Sequence, residues 1–204
     1  KEVFDSDYLQ VDETTIKVQD ERCKGKTHLG YFWVYRNPIK RLLFFDYRES
    51  RASDSPTEML ADFKGYLQTD GYGGYGDVQR RNDITSVACM AHARRKFFEA
   101  EEKGSPKATD ALEQIRKLYD VEADARGRSL DATARKLLRE ERSVPIVNDF
   151  KSWLNKEVLT ALPKSPIGLA IAYSLNRIES LQTYIKDGRL EIDNNLVENA
   201  IRPI

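Results

Sequence analysis

The chain has little of what would staple it, anchor it in a bilayer or give it bulk charge. Only two cysteines, Cys23 and Cys89, occur in 204 residues, too few for a disulfide framework, so a reducing cytoplasm is the expected setting. No apolar run approaches the roughly 18 residues of a membrane-spanning helix, and no signal-peptide pattern precedes the first predicted strand. Lys and Arg number 33, as do Asp and Glu, for a formal net charge of zero. Composition therefore supplies no bulk attraction to nucleic acid, and any such binding must come from local patches or from further regions. A hydrophobic share of 40% and a charged share of 32% fit a globular domain, or one domain carrying a large insertion. The charged opening and the stop at Arg202-Pro203-Ile204 read as a piece of a longer protein.

What is present is a change of pattern along the chain. Tyr8–Asp12 alternates apolar and polar residues and predicts a short strand. Lys24-Gly25-Lys26 predicts a turn into a second strand over Leu29–Tyr35. Asn37-Pro38 breaks that strand, and Leu42–Tyr47 supplies a third. Three aromatic-rich runs with short turns predict an antiparallel meander. Ser55-Pro56-Thr57-Glu58 has the serine, early proline and acid of a helix start, with Met59, Leu60 and Phe63 following and Gly65 expected to end it. Tyr66–Asp70 and Thr85–Cys89 predict two more strands. From Ala91 to about Leu162 the pattern is helical, punctuated by Pro145 and Pro163, and Ile167–Tyr184 continues in helix. There are no internal repeats or low-complexity tracts.

Asp12 closes the first predicted strand and Asp70 the fourth. Open α/β sheets gather their chemistry where strand ends empty into loops on one edge. If the two strands are neighbours, their carboxylates converge, and Glu198 on a docked helix is a third. Three carboxylates at one point need a compensating cation, and hard divalent ions with oxygen ligands supply it. A pair of such ions about 4 Å apart serves phosphoryl transfer. The plainer reading of each acid by itself is a turn or surface residue. Asp70 stands out because Gly71-Tyr72-Gly73-Gly74-Tyr75-Gly76 follows it, allowing a sharp turn and close approach of a bulky ligand. The loop lacks the lysine and serine or threonine of a P-loop. Glu13, next to Asp12, points to the opposite face of a strand and is not assigned a metal.

Cys89-Met90-Ala91-His92 admits several readings. It is half a zinc site if the remote Cys23 and His28 join it. Alternatively, His92 lies in the first turn of a helix after a strand and contacts a phosphate, with Arg94, Arg95 and Lys96 behind it. A third reading makes Cys89 a buried strand residue and His92 a cap. Near the C-terminus, Gly188-Arg189 leads to Asp193, placed to cap a helix. Asn194, Asn195, Glu198 and Arg202 share its polar face, and Leu196, Val197, Ala200 and Ile201 its docking side.

Together these stretches resemble the bacterial transposases of the insertion-sequence-66 family. The matching blocks are Val11–Thr14, Gly30–Tyr35, Tyr66–Tyr72, Cys89–Phe98 and Gly188 through Pro203, in family order and spanning nearly the whole chain. The resemblance implies an α/β fold: a ribonuclease-H-like mixed five-stranded sheet flanked by helices, with a mostly α-helical insertion before the last catalytic helix. The implied divisions are 1–99 for the first part of the core, 100–163 for the insertion and 164–204 for the helices completing the core. It implies Asp12, Asp70 and Glu198 as the catalytic, metal-holding residues. Asp70 lies 58 residues after Asp12 (70 − 12) and Glu198 lies 128 after Asp70 (198 − 70). His92, Arg94 and Arg95 are implied as DNA or active-site contacts, and Asn194, Asn195 and Arg202 as supporting residues.

The implied activity is metal-dependent cleavage of an element end and transfer of its 3′-hydroxyl to target DNA. Its cofactor is two Mg²⁺ ions, with Mn²⁺ as substitute. Its partners are the transposon ends and target DNA, a homo-oligomer formed on DNA, and accessory proteins, with no membrane and a cytoplasmic location. The resemblance also implies N-terminal DNA-binding and oligomerising regions, and a short segment past the C-terminal end, outside these 204 residues. Two other readings share these residues: a ribonuclease-H-like nuclease without strand transfer, and an inactive DNA-binding scaffold derived from a transposase. A two-carboxylate glycosidase leaves the glycine-rich turn and the Cys-x-x-His block without a role.

Overall fold

A computed structural model describes residues 1–19, 25–52 and 54–201. The chain divides into two compact units, Lys1–Ser86 with Asn194–Ile204, and Val87–Asp193. These boundaries differ from the expected divisions at 99/100 and 163/164. The reason is packing: α3 (Met90–Glu102) and α6 (Pro166–Leu175) lie against each other and against α4 (Pro106–Gly127) and α5 (Ala132–Glu157) respectively.

The first unit is built on a mixed sheet of five strands in the order β3-β2-β1-β4-β5. β1 (Tyr8–Gln19), β2 (Thr27–Asn37) and β3 (Leu42–Arg48) form the predicted antiparallel meander. β4 (Gly65–Thr69) runs parallel to β1, and β5 is Ile84–Ala88. β1 is twelve residues long, so Asp12 is not at its end as expected. The strand runs on past β4 because β2 supplies a partner as far as Gln19. Asp12 instead lies two residues beyond the last β1–β4 pair, Gln10 with Gln68.

One sheet face carries Leu9, Val11, Trp33, Tyr35 and Leu67 of the apolar core, covered by Tyr75, by Val78 of α2 (Gly76–Gln79) and by Leu60 and Phe63, which follow α1 (Asp54–Met59). Gly65 does not terminate that helix, which has already ended at Met59. It opens β4 with φ +119°, and a Cβ there would collide with the Asp7 backbone carbonyl. The opposite face is polar near its centre. The buried Tyr8 hydroxyl donates to Gln68 Oε1 at 2.5 Å, and Gln10 Nε2 donates to the same oxygen at 2.9 Å.

The second unit is helical. Pro145, expected as punctuation, sits inside the 26-residue α5 without ending it. The helix expected over Ile167–Tyr184 is instead α6, α7 (Ile178–Gln182) and a 3-10 turn over Thr183–Lys186. At its centre Arg139, fully buried, donates to both oxygens of buried Glu122 at 2.7 and 2.8 Å. It also donates to the Tyr184, Asp187 and Leu190 carbonyls. Arg135 joins Glu122 to Glu191. A buried charge is tolerable only when paired and fully hydrogen-bonded, as here. The network ties the 184–191 segment to α4 and α5. Gly188 passes so close to the Ala132 carbonyl that no Cβ fits. Among the described residues, no helix is long and apolar enough to cross a membrane.

Candidate active site

Tyr8, Leu9 and Gln10 of β1 pair with Tyr66, Leu67 and Gln68 of β4, an offset of 58 residues at each pair. Side chains alternate faces along a strand. The next like-facing pair in that register is Asp12 and Asp70, immediately beyond Thr69, the end of β4. Neighbouring strands lie about 4.8 Å apart. The sheet thus brings the two predicted aspartates together on the polar face, above the Tyr8–Gln10–Gln68 ladder.

Both carboxylates are oriented by backbone. Asp12 Oδ1 accepts the Glu13 N–H at 2.9 Å, and Asp70 Oδ1 accepts the Tyr72 N–H at 2.7 Å in an Asx-type turn. Burial first, and then the charges of Asp70, Glu13 and Glu198, push the Asp12 pKa up to about 8 against the opposing Glu13 N–H. α8 (Asn195–Ile201) packs on β1 and β2, which places Glu198 within electrostatic reach of Asp12.

The closing segment departs from expectation in detail. The Asp193 carboxylate accepts the Tyr119 hydroxyl at 2.8 Å. The residue before the helix is fully buried Asn194, whose carbonyl accepts the Val197 and Glu198 N–H groups. Of the expected docking side, Val197 is fully buried while Leu196 is 42% exposed. Asn195 and Glu198 are half-buried. Arg202 lies outside the described residues.

In the second unit, Cys89 is buried and precedes α3, whose first N–H (Met90) donates to the Ile192 carbonyl at 3.1 Å. His92 occupies the first turn of α3, as the second reading expects. Arg94 and Arg95 are exposed, and Lys96 lies over the Tyr173 ring at 5.0 Å. For the zinc reading, Cys23 lies outside the described residues, and His28 shares a hydrogen bond with the Tyr47 hydroxyl at 3.2 Å.

Glu13 follows Asp12 in β1 and turns to the core face, where its partners were not foreseen from the sequence. It receives Arg51 Nε at 2.9 Å and the Tyr75 hydroxyl at 2.6 Å. Nor were Glu122, Arg135 and Arg139 foreseen. Their only trace in sequence is charged residues interrupting the apolar positions of two helices.

Fold and site together define an α/β protein whose mixed sheet presents paired aspartates beside a glutamate-bearing helix. The sequence profile of the transposase IS66 family matches residues 1–204, and the chain belongs to that family. It is similar to the uncharacterized protein y4qI of Sinorhizobium fredii (strain NBRC 101917 / NGR234), 33% identical over 216 residues, covering 98% of this chain and 40% of that protein. It is also similar to the uncharacterized protein y4hP of the same organism, 30% identical over 226 residues, covering 99% of this chain and 40% of that protein. The chain therefore spans about 40% of the length of the curated relatives it matches. No solved structure matches it.

Proposed function

We propose that this chain is the ribonuclease-H-like catalytic core of a DNA transposase, with Asp12, Asp70 and Glu198 as its metal-holding carboxylates. The observation that carries the reading is the shared register of Asp12 and Asp70, with family membership behind it. The donor set fits hard divalent cations: the candidate ligands are all oxygens, and burial first, then the neighbouring carboxylates, raises the Asp12 pKa to about 8, a cost that a bound cation would offset. Two Mg²⁺ ions, or Mn²⁺ in their place, would supply Lewis acidity at the attacking and leaving oxygens when bound.

In this reading, water cuts the strand at the element end and leaves a 3′-hydroxyl. That hydroxyl then attacks a target phosphodiester in line, so each step exchanges one P–O bond for another. Asp12 and Asp70 would hold the metal ions from the sheet, and Glu198 would do so from α8. Asn194 and Asn195 orient a phosphate oxygen or water, and Arg202 steadies Glu198 or a phosphate. His92, Arg94 and Arg95 contact the DNA backbone. The helices over 100–163 are the family's insertion. The whole protein acts as a homo-oligomer on transposon ends and target, with accessory proteins, in the cytoplasm.

The test is Mn²⁺-dependent nicking of supercoiled DNA, followed by joining of a pre-cut element end to a target duplex. Wild type should nick and join, and Glu198→Gln should do neither while keeping its melting transition. Full activity in Glu198→Gln removes that residue from the site. Nicking without joining favours the nuclease reading, and neither activity nor Mn²⁺ binding in wild type favours the scaffold.

A further inference from the structure

Asp70 heads a loop with four glycines in the six residues Gly71–Gly76. Glycine loses more backbone freedom on ordering than any other residue, so a stretch this rich in it needs something to hold it if Asp70 is to face Asp12. The holder lies on the opposite face of β1. Glu13, whose side chain is 3% exposed, receives Arg51 Nε at 2.9 Å and the Tyr75 hydroxyl at 2.6 Å. The Arg51 guanidinium lies over the Tyr72 ring, 3.8 Å from its centroid, and the Tyr72 hydroxyl donates to the Arg51 carbonyl at 3.0 Å. Fully buried Tyr75 meets Trp33 edge-on at 5.6 Å and Tyr72 at 6.1 Å. The Tyr72 ring occupies the space a Cβ at Gly74 would need.

Each end of this clamp is one short step from a candidate metal ligand. Glu13 is bonded to Asp12 and donates its own N–H to the Asp12 carboxylate. Tyr72 donates its N–H to the Asp70 carboxylate. We propose that Glu13 and Arg51 are positioning residues that hold the Asp70 loop against β1 and so set the relation between the two aspartates. The inference rests on the reading of Asp12 and Asp70 as metal ligands, and it assigns a purpose to an acid that points away from them.

Two readouts separate this inference from that reading. Outer partners of metal ligands typically change metal affinity by about 10–100-fold. Mn²⁺ titration by calorimetry should therefore show at least a roughly tenfold weaker affinity in Glu13→Gln, which keeps the volume, and in Arg51→Ala, with melting transitions close to wild type. Amide exchange across Gly71–Gly76 without metal reads the clamp itself and should accelerate roughly tenfold in both variants. Wild-type Mn²⁺ affinity and wild-type exchange in both variants overturn the proposal. If wild type binds no Mn²⁺ while exchange still accelerates in the variants, the clamp stands and the metal reading falls.

Discussion

Asp12 on β1 and Asp70, one residue past the end of β4, are separated by the same 58 residues as every pair of the parallel β1–β4 ladder, so the ladder's register extended by two residues sets them opposite each other. Two carboxylates held that close, one of them with its pKa pushed up to about 8, cost the fold something when both are ionised.

The first prediction follows from that cost. An aspartate in an unfolded chain titrates near 4, so between about pH 4 and 8 the folded protein holds a proton that the unfolded protein releases. The contribution is fully present below about pH 4, falls as pH rises through this window and is lost above about 8. Metal-free melting temperature should therefore fall across the window, and Asp12→Asn should flatten the profile. An unchanged slope in Asp12→Asn would assign the pH dependence to other groups.

Metal binding should carry the complementary signature. A cation that needs the Asp12 carboxylate must displace its proton, so apparent Mn²⁺ affinity should climb about tenfold per pH unit below about 8 and level off above it. Calorimetry in buffers of different ionisation enthalpy should detect about one proton released per site near pH 7. Affinity independent of pH would separate Asp12 from the ligands.

The buried Glu122–Arg139 pair makes a prediction about stability. Burial works to raise the Glu122 pKa, but the Arg139 hydrogen bonds and charge, with Arg135, outweigh it and leave the pKa lowered. The stabilisation is thus present above the usual glutamate range and lost as pH falls through the lowered value. Arg139→Met leaves Glu122 with Arg135 alone and takes the donor from the Tyr184, Asp187 and Leu190 carbonyls, and should cost about 3–5 kcal/mol in urea unfolding. Replacing both partners with apolar residues removes the buried carboxylate and should recover part of that loss, the Tyr184, Asp187 and Leu190 carbonyls still lacking their donor.

Gly188→Ala tests a close approach. With no room beside the Ala132 carbonyl, the added methyl should destabilise the helical unit by about 1–3 kcal/mol, read by the same unfolding transition. Gly104→Ala has open space but φ +81°, so it should show a smaller cost from backbone strain alone.

The meander, β4, β5 and Asp70's place at a strand end were legible because alternation and glycine breaks are local signals. The extent of β1 was not, since residues 13–19 are strand through pairing with β2 rather than through their own apolar pattern. Pro145 misled because α5 is held by packing and by Arg139 more than by its own propensity. The Asp12–Asp70 pairing could be expected but not fixed, because register depends on which strands become neighbours. Glu13's clamp was invisible because its partners lie 38 and 62 residues away.

The most direct test of the central claim is anomalous diffraction from crystals of this chain grown with Mn²⁺. A peak is expected beside Asp12, within β1, and Asp70, just past the end of β4, ligated by both carboxylates and lost in Asp70→Asn. Mn²⁺ bound elsewhere with those two carboxylates untouched, or a peak that persists in Asp70→Asn, would contradict it.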